Sequence, residues 1–214
     1  MIENMNTIYL SLLFLCLGLT AFAQKSNRII VHVEAGVKYD VKPNTYSGYD
    51  FNSQEEGFSG YQVFVSGLYP INDNFAAGIG AGVNVYTRYD EIFDKITSVP
   101  VYANAIYKIP TSGDFVPFVD LKLGYGIVSR DYIVTRILAS SPEQRQDLSV
   151  KNSGGLYVSP SVGIMFPWDD RAFSVSLSYD LQTMKAKYSV PSGPISEQTK
   201  THTHTLALRL GFMF

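Results

Sequence analysis

The sequence predicts an all-β fold, an eight-stranded antiparallel up-and-down transmembrane β-barrel. Three observations lead to this prediction. Eight segments alternate large apolar residues with small or polar ones, short and long connections follow each other in turn, and the chain ends on an aromatic residue. Alternation at period two is typical of strands whose two faces meet different media. After residue 23 no apolar run approaches the roughly 20 residues of a membrane-spanning helix, so we expect strands to span.

The N-terminus has the pattern of an export signal. Residues 10–19 form a short apolar run, and the Ala-Phe-Ala motif that ends at Ala23 is typical of a cleavage site. We therefore expect residues 1–23 to be a cleaved signal peptide. Residues 24–214 are then expected to form a single barrel domain.

The leader also bears on the start codon and on cysteine chemistry. Its first residues include Glu3 and no basic residue, and Met1 and Met5 both remain open as start codons. Cys16, the single cysteine of the chain, lies inside the leader. The mature chain is therefore expected to have neither a disulfide nor a thiol site.

In each of the eight segments, large apolar residues occupy every second position, which is one parity, and small or polar residues occupy the positions of the other parity. On the seventh, Val175 and Leu177 have one parity, and Ser176 and Asp180 have the opposite one. The segments are, in order, residues 29–39, 61–69, 75–85, 99–109, 115–127, 156–166, 173–181 and 201–214. We expect the apolar parity to face lipid and the polar parity to face a narrow lumen, where small residues fit.

The connections divide into two classes. The short ones begin at Pro70, Pro110 and Pro167, and each contains Asp, a residue that favours tight turns. The long ones are roughly residues 42–57, 88–97, 130–154 and 186–199. Short turns at one end and longer loops at the other are typical of outer-membrane barrels. An even number of strands places both termini on the turn side, which is the periplasmic side in that layout.

Six charged residues have inward parity and lie several residues from either rim. They are Glu34, Lys38, Asp120, Lys122, Asp180 and Arg209. An unpaired charge in a narrow lumen is costly, so we expect a salt-bridge network that fills the barrel. A gated path for protons or ions is the alternative interpretation. Because the first and last strands must pair to remove the sheet edges, we expect an ion pair between Arg209 and Glu34, with Asp180 as the fallback partner of Arg209.

The three histidines are the candidates for chemistry. His202 and His204 stand two apart with lipid-facing parity near the external rim, and His32 has inward parity on the first strand. A His and a Ser two apart on an outward face, with an acidic partner, would resemble a lipid-A deacylase, but the position two after His202 is another His. A zinc site needs about three or more protein ligands, and no Asp, Glu or Cys is evidently placed beside this pair. We therefore predict no catalytic residue, no metal site and no cofactor.

The C-terminal strand, with Leu210, Phe212 and Phe214 on its apolar face, resembles the assembly signal of bacterial outer-membrane β-barrels. The whole mature chain resembles the small eight-stranded barrels of the OmpA/OmpX-like superfamily. The PFVDLKLGYG stretch and the Ala-Gln junction after the leader are similar to the outer-membrane β-barrel domain proteins of Bacteroidota. The resemblance implies an outer-membrane location, contact with lipid and lipopolysaccharide, and recognition by the barrel-assembly machinery.

These features together predict a monomeric, non-enzymatic barrel of the structural or interaction type. Aromatic residues among charges in the long loops fit two interpretations equally, a surface for an extracellular protein partner or support for strand extensions above the membrane. The net charge of −2 and the lack of a basic tail or patch argue against nucleic acid. Two alternatives stay open, a lipid-A-modifying enzyme and a narrow pore for water or small ions.

Overall fold

The structure is a computed structural model that describes residues 29–41, 58–86, 96–128, 131–137, 145–189 and 196–214. The expected signal peptide and most of the first two long loops lie outside these described residues. In the described part, no helix is long and apolar enough to cross a membrane.

The described residues form β-strands joined into one antiparallel sheet. The strands are β1 (Ile30–Asp40), β2 (Phe58–Pro70), β3 (Phe75–Tyr86), β4 (Ile96–Lys108), β5 (Val116–Val128), β6 (Asp131–Ile137), β7 (Arg145–Ser153), β8 (Gly155–Trp168), β9 (Arg171–Ser189) and β10 (Ser196–Met213). Eight of them, all except β6 and β7, close into a barrel. The predicted fold class is thereby confirmed.

The barrel closes where β10 pairs with β1. The register runs from His32 opposite Met213 to Asp40 opposite Thr205, while β10 also pairs with β9 on its other side. The last residue is held in this seam, because the Val31 amide donates to the Phe214 carbonyl at 2.8 Å and the Phe214 amide donates back at 3.1 Å. Closure removes both sheet edges, which a bilayer would otherwise leave without partners.

Strands β6 and β7 form a hairpin inside the region expected to be the third long loop, residues 130–154. Strand β7 also pairs with the far end of β9, from Ser149 opposite Ser189 to Ser153 opposite Lys185. Residues 186–189 and 196–199 continue β9 and β10, so the fourth loop is shorter than expected. The eight-segment pattern did not predict these strand residues, because neither parity there is reserved for large apolar residues; they agree with the interpretation that the long connections support strand extensions. Backbone pairing to a neighbouring strand is not visible in that pattern.

The two faces of the wall lie as the alternation predicts. Outward Leu121, Leu177 and Leu208 are about half exposed, whereas inward side chains such as Ser176 are buried. Val31 and Val85 are exceptions, since both have outward parity and are buried. Each lies within two residues of an end of its strand, where the wall gives way to the rim.

The short turns are stabilised locally. In the first, the Asn72 side-chain oxygen accepts hydrogen bonds from the amides of Asn74 at 2.9 Å and Phe75 at 2.8 Å. In the turn between β8 and β9, Asp169 adopts a φ of 52°, a left-handed conformation that Asp tolerates better than most residues.

Candidate functional site: the barrel interior

An apolar cluster fills the turn end of the lumen. Its buried members are Leu68, Ala76, Ile106, Phe118, Met165 and Met213, with Ile30, Val116 and Ala172 packed against them. Together these nine residues come from all eight barrel strands and lie close to the short turns or to the chain ends. This cluster places an apolar layer across the barrel between the turns and the charged residues.

Above this layer, Lys122 lies between two carboxylates. Its Nζ is 2.7 Å from a Glu34 oxygen and forms an ion pair with Asp120. Asn104 donates to the other oxygen of Asp120, and the Ser161 hydroxyl donates to Asp120 at 3.3 Å. These groups are all at most 5% exposed, so the charges balance one another where water is largely excluded.

Arg209 and Asp180 form the second centre of the network. Arg209 Nη2 is 2.6 Å from Asp180 Oδ1 and donates to the Ser159 hydroxyl at 2.7 Å. Ser159 in turn donates to the same Asp180 oxygen at 2.6 Å, and Lys38 Nζ lies 3.7 Å from the other. With its amide nitrogen turned toward Asp180, Gln62 donates to that carboxylate at 2.8 Å and accepts from Arg209 Nε at 2.7 Å.

The two centres meet at a longer contact between Arg209 and Glu34. Arg209 Nη1 lies 3.9 Å from Glu34 Oε1, at the outer limit of an ion pair. The expected pair therefore exists, but the short partner of Arg209 is Asp180, and the short partner of Glu34 is Lys122. The reason is register: Arg209 is opposite Gly36, so it stands two residues beyond Glu34 along the seam.

Three aromatic rings surround this network. Phe64, Tyr102 and Tyr157 form a buried cluster with centroids 5.7–6.2 Å apart. The Arg209 guanidinium lies 4.7 Å from the centroid of Phe64, a distance at which a cation and a ring attract each other. The Tyr102 hydroxyl lies 3.1 Å from the Ser66 hydroxyl.

The glycines of the wall make room for these rings. A Cβ on Gly80 would lie 2.6 Å from the ring of Tyr102, and a Cβ on Gly163 would lie 2.7 Å from the ring of Phe118. Both distances are shorter than normal carbon contacts. The small inward residues of the sequence thus mark where a bulky side chain reaches across from a neighbouring strand.

A second apolar cluster lies toward the loop end. It contains Tyr86, Val128 and Met184, each less than 10% exposed. The Tyr86 hydroxyl donates to Gln182 at 2.9 Å and accepts from Lys38 at 3.1 Å, so this cluster is tied to the charged network. The charged residues thus lie between two apolar layers.

Sequence reasoning brought out the six charges but missed the large apolar residues that point inward. Phe64, Ile106, Phe118 and Tyr157 are all at most 2% exposed inside the barrel. These residues were not predicted to point inward because the outward positions on each strand are more regularly apolar and dominate the alternation. The signal that could have revealed them is the presence of large side chains at positions of inward parity.

Each histidine lies near a different hydroxyl group. His32 is fully buried, with its Nε2 3.4 Å from the Ser174 hydroxyl. His204 Nδ1 is 2.6 Å from the Tyr179 hydroxyl, and His202 Nδ1 is 3.3 Å from the Thr183 hydroxyl, both on the outward parity near the loop end. Within the described residues, no group of three or more His, Cys, Asp or Glu side chains could hold a metal ion.

Solved structures share this architecture. The chain is similar to the outer membrane protein OprG from Pseudomonas aeruginosa, with 15% identity and a TM-score of 0.53 over 87% of this chain and 96% of that chain. It is also similar to the outer membrane protein AlkL, determined in DMPC bilayers, with 11% identity and a TM-score of 0.50 over 87% of this chain and 90% of that one. No protein-family model matches the chain, and no curated protein matches it significantly in sequence.

At these identities the likeness shows the fold alone. The chain therefore has the fold of small eight-stranded outer-membrane β-barrels. The finer resemblance to the Bacteroidota barrel-domain family stays a prediction.

Proposed function

We propose that this protein is an integral outer-membrane barrel with a closed lumen, which acts as a structural or recognition protein rather than as an enzyme. The observation that carries the proposal is the reversal of the usual distribution of side chains. The fully buried residues include Arg209, Lys122 and Lys38, while Leu123, Leu208 and Leu210 are at least half exposed. In water this arrangement would expose a large apolar surface, whereas in hydrocarbon it is favourable.

The height of the exposed apolar surface suits a bilayer. On β5 and the residue before it, apolar residues of one parity run from Phe115 to Ile127. At about 3.4 Å per residue this is roughly 40 Å along the strand, or about 30 Å along the barrel axis for a tilt of about 40°. The outward band of outer-membrane barrels is about 25 Å tall, so the strands are long enough to span it.

Aromatic side chains border this surface at both ends. Exposed rings near the turns are Tyr69, Tyr107, Phe115, Phe166, Trp168 and Phe173, and those toward the loops are Tyr39, Tyr61, Tyr125 and Tyr179. Girdles of this kind are typical of the two membrane interfaces. They support a membrane-spanning placement of the barrel, and the short turns at one end favour the periplasmic side for that end and for both termini.

The filled lumen favours a plug over a pore. Apolar clusters lie on both sides of the charged network, and three cations contact three carboxylates between them. An ion entering from either side would have to pass an apolar layer before reaching a charge. Recognition is then left to the loop side, and the surrounding partners are lipid, lipopolysaccharide and, during insertion, the barrel-assembly machinery.

The membrane proposal is tested by fractionation of cells that express the full chain. We expect the protein in the outer-membrane fraction, with a folded form that migrates differently on gels before and after heating. Removal of Phe214 should reduce this folded form while export continues, because Phe214 closes the seam with Val31; Phe214→Tyr, which keeps a ring there, is the matched control. Recovery of the wild type as a folded soluble protein without detergent would overturn the proposal.

The closed lumen is tested separately by electrical recording. The purified wild-type barrel in planar bilayers should give no steady ion conductance. Reproducible conductance steps would reject the plug and favour the narrow pore.

A further inference from the structure

The barrel wall continues beyond the membrane belt as a sheet of three strands. Pairing of β9 with β10 runs on to Ser189 opposite Ser196, and β7 is added along the other side of β9 over residues 149–153. This extension is formed by residues that the alternation did not predict to be strand. Its register brings together lysines that are far apart in the sequence.

Four lysines share one face of this extension. Lys185 on β9 is directly opposite Lys200 on β10, and Lys187 on β9 is directly opposite Lys151 on β7. Paired residues lie on the same face of a sheet, as do residues two apart on one strand. We call Lys151, Lys185, Lys187 and Lys200 the lysine face. With strands about 4.8 Å apart and a rise of about 3.4 Å per residue, it measures roughly 10 Å by 7 Å.

The lysine face is continuous with the outward face of the barrel. Lys185 is exposed and has the same parity on β9 as Leu177 and Tyr179, and Lys200 has the same parity on β10 as the exposed His202. His202 lies two residues from Lys200 on its barrel side, which is about 7 Å along β10. The order along the wall is therefore apolar surface, then the Tyr179–His204 hydrogen bond, then lysines. This is the order of acyl chains, interface and charged groups in a lipid leaflet.

The register gives this face few negative charges of its own. Asp131 on β6 is opposite Lys151, while Lys185 has Ser153 and Lys187 has Gln198 as the neighbour on the side away from the paired lysine. Asp147 and Arg145 share the parity of Lys151 farther along β7 and together add no net charge to it. Like charges directly opposite on adjacent strands are destabilising. An anion bound at this face would attract each lysine and so offset their repulsion.

We propose that the lysine face binds the phosphate groups of a phosphorylated glycolipid in the outer leaflet, an inference that rests on the proposed outer-membrane placement. Lysine ammonium groups are point charges that bind phosphate. The partner is a lipid rather than a soluble anion because the lysines follow directly on the exposed apolar wall. A lipid can therefore place its chains on Leu206 and Tyr179 and its phosphates on the lysines at the same time.

The test uses the full mature barrel folded into neutral phosphatidylcholine vesicles, with bisphosphorylated lipid A added at rising mole fraction. A basic residue near an anionic surface strengthens binding by about fivefold, so Lys185→Gln with Lys200→Gln should weaken lipid A binding by about 25-fold. Lys185→Arg with Lys200→Arg should keep the affinity. Arg171→Gln, which removes one exposed charge at the opposite end of β9, is the matched control and should weaken binding by no more than about fivefold.

The stability of the same proteins gives a second, opposite-sign readout. In neutral vesicles the double glutamine variant should unfold at a slightly higher urea concentration than the wild type, because a like-charge pair has been removed. With lipid A present, the wild type should gain stability and the variant should not. Dephosphorylated lipid A should have no such effect.

Some outcomes would overturn the inference while leaving the membrane proposal intact. Equal lipid A affinity of the wild type and the glutamine variant would do so, as would equal binding of dephosphorylated lipid A. Displacement of lipid A by millimolar inorganic phosphate would show a soluble-anion site and reject a lipid partner. Failure of the wild type to insert into neutral vesicles at all would instead reject the proposed function.

Discussion

The two faces of β9 differ in both chemistry and exposure. Its outward parity presents Phe173, Val175 and Leu177, each at least 40% exposed. Its inward parity presents Ser174, Ser176, Ser178 and Asp180, each at most 3% exposed. A single strand thus separates a surface that is apolar and open from one that is polar and sealed.

This difference shows which interaction stabilises each face of the barrel wall. The outer face is favourable only in a medium that does not form hydrogen bonds, because its side chains would be costly to expose to water. The inner face is favourable only when every charge has a partner, because it is removed from water. Substitutions on the two faces should therefore fail for different reasons and by different amounts.

The largest effect is expected from breaking the charge network. Arg209→Met leaves Asp180 buried without its short partner and should lower the free energy of unfolding in bilayers by about 3–5 kcal/mol. Double-mutant cycles check the geometry: the coupling of Arg209 with Asp180→Asn should exceed that with Glu34→Gln, since the contacts are 2.6 and 3.9 Å. Strictly additive costs in both cycles would contradict the network and favour a water-filled lumen.

A charge placed on the outer face should cost somewhat less. Leu177→Arg lies near the middle of the outward run of β9 and should destabilise the barrel by about 2–4 kcal/mol, measured by urea unfolding from vesicles. Leu177→Met, an apolar substitution of similar volume, serves as the control and should cost less than about 1.5 kcal/mol. An unchanged stability for Leu177→Arg would mean that the faces are inverted.

The smallest effects come from removing one hydroxyl on each face. Tyr102→Phe deletes a buried hydroxyl that lies 3.1 Å from Ser66 and should cost about 1 kcal/mol. Tyr125→Phe makes the same change on the outer face, where the residue is 53% exposed, and should stay within about 0.5 kcal/mol of the wild type. Equal losses of stability at the two sites would indicate that water in the lumen hydrates the Tyr102 hydroxyl.

The sequence predicted the wall of the barrel better than its contents. Alternation depends on the contrast between two media, so it predicted the eight barrel strands and their faces, and the need to pair both sheet edges predicted the closure of β10 on β1. The choice of Asp180 over Glu34 as the short partner of Arg209 depends on register and on side-chain reach across the lumen, and neither is visible in a period-two pattern. The rings of Phe64 and Phe118 were missed for a related reason, since their place depends on glycines in neighbouring strands.

The β6–β7 hairpin is the other part of the fold that the alternation did not predict. Strand β7 is held on the edge of β9 by backbone pairing, which leaves no clear apolar parity in its sequence, RQDLSVKNS. The same extension brings Lys151 next to Lys187, a neighbour that only the register reveals.

The sealed interior and the lipid-facing exterior are tested most directly by tryptophan reporters at one site on each face. Trp168 is the single tryptophan, so Trp168→Phe provides a silent background for Leu177→Trp and Phe64→Trp. We predict that brominated lipid quenches the reporter at 177 but not the one at 64, and that aqueous iodide quenches neither. Iodide quenching at 64 would show a water-filled lumen, and quenching at 177 by iodide but not by lipid would contradict the membrane-facing wall.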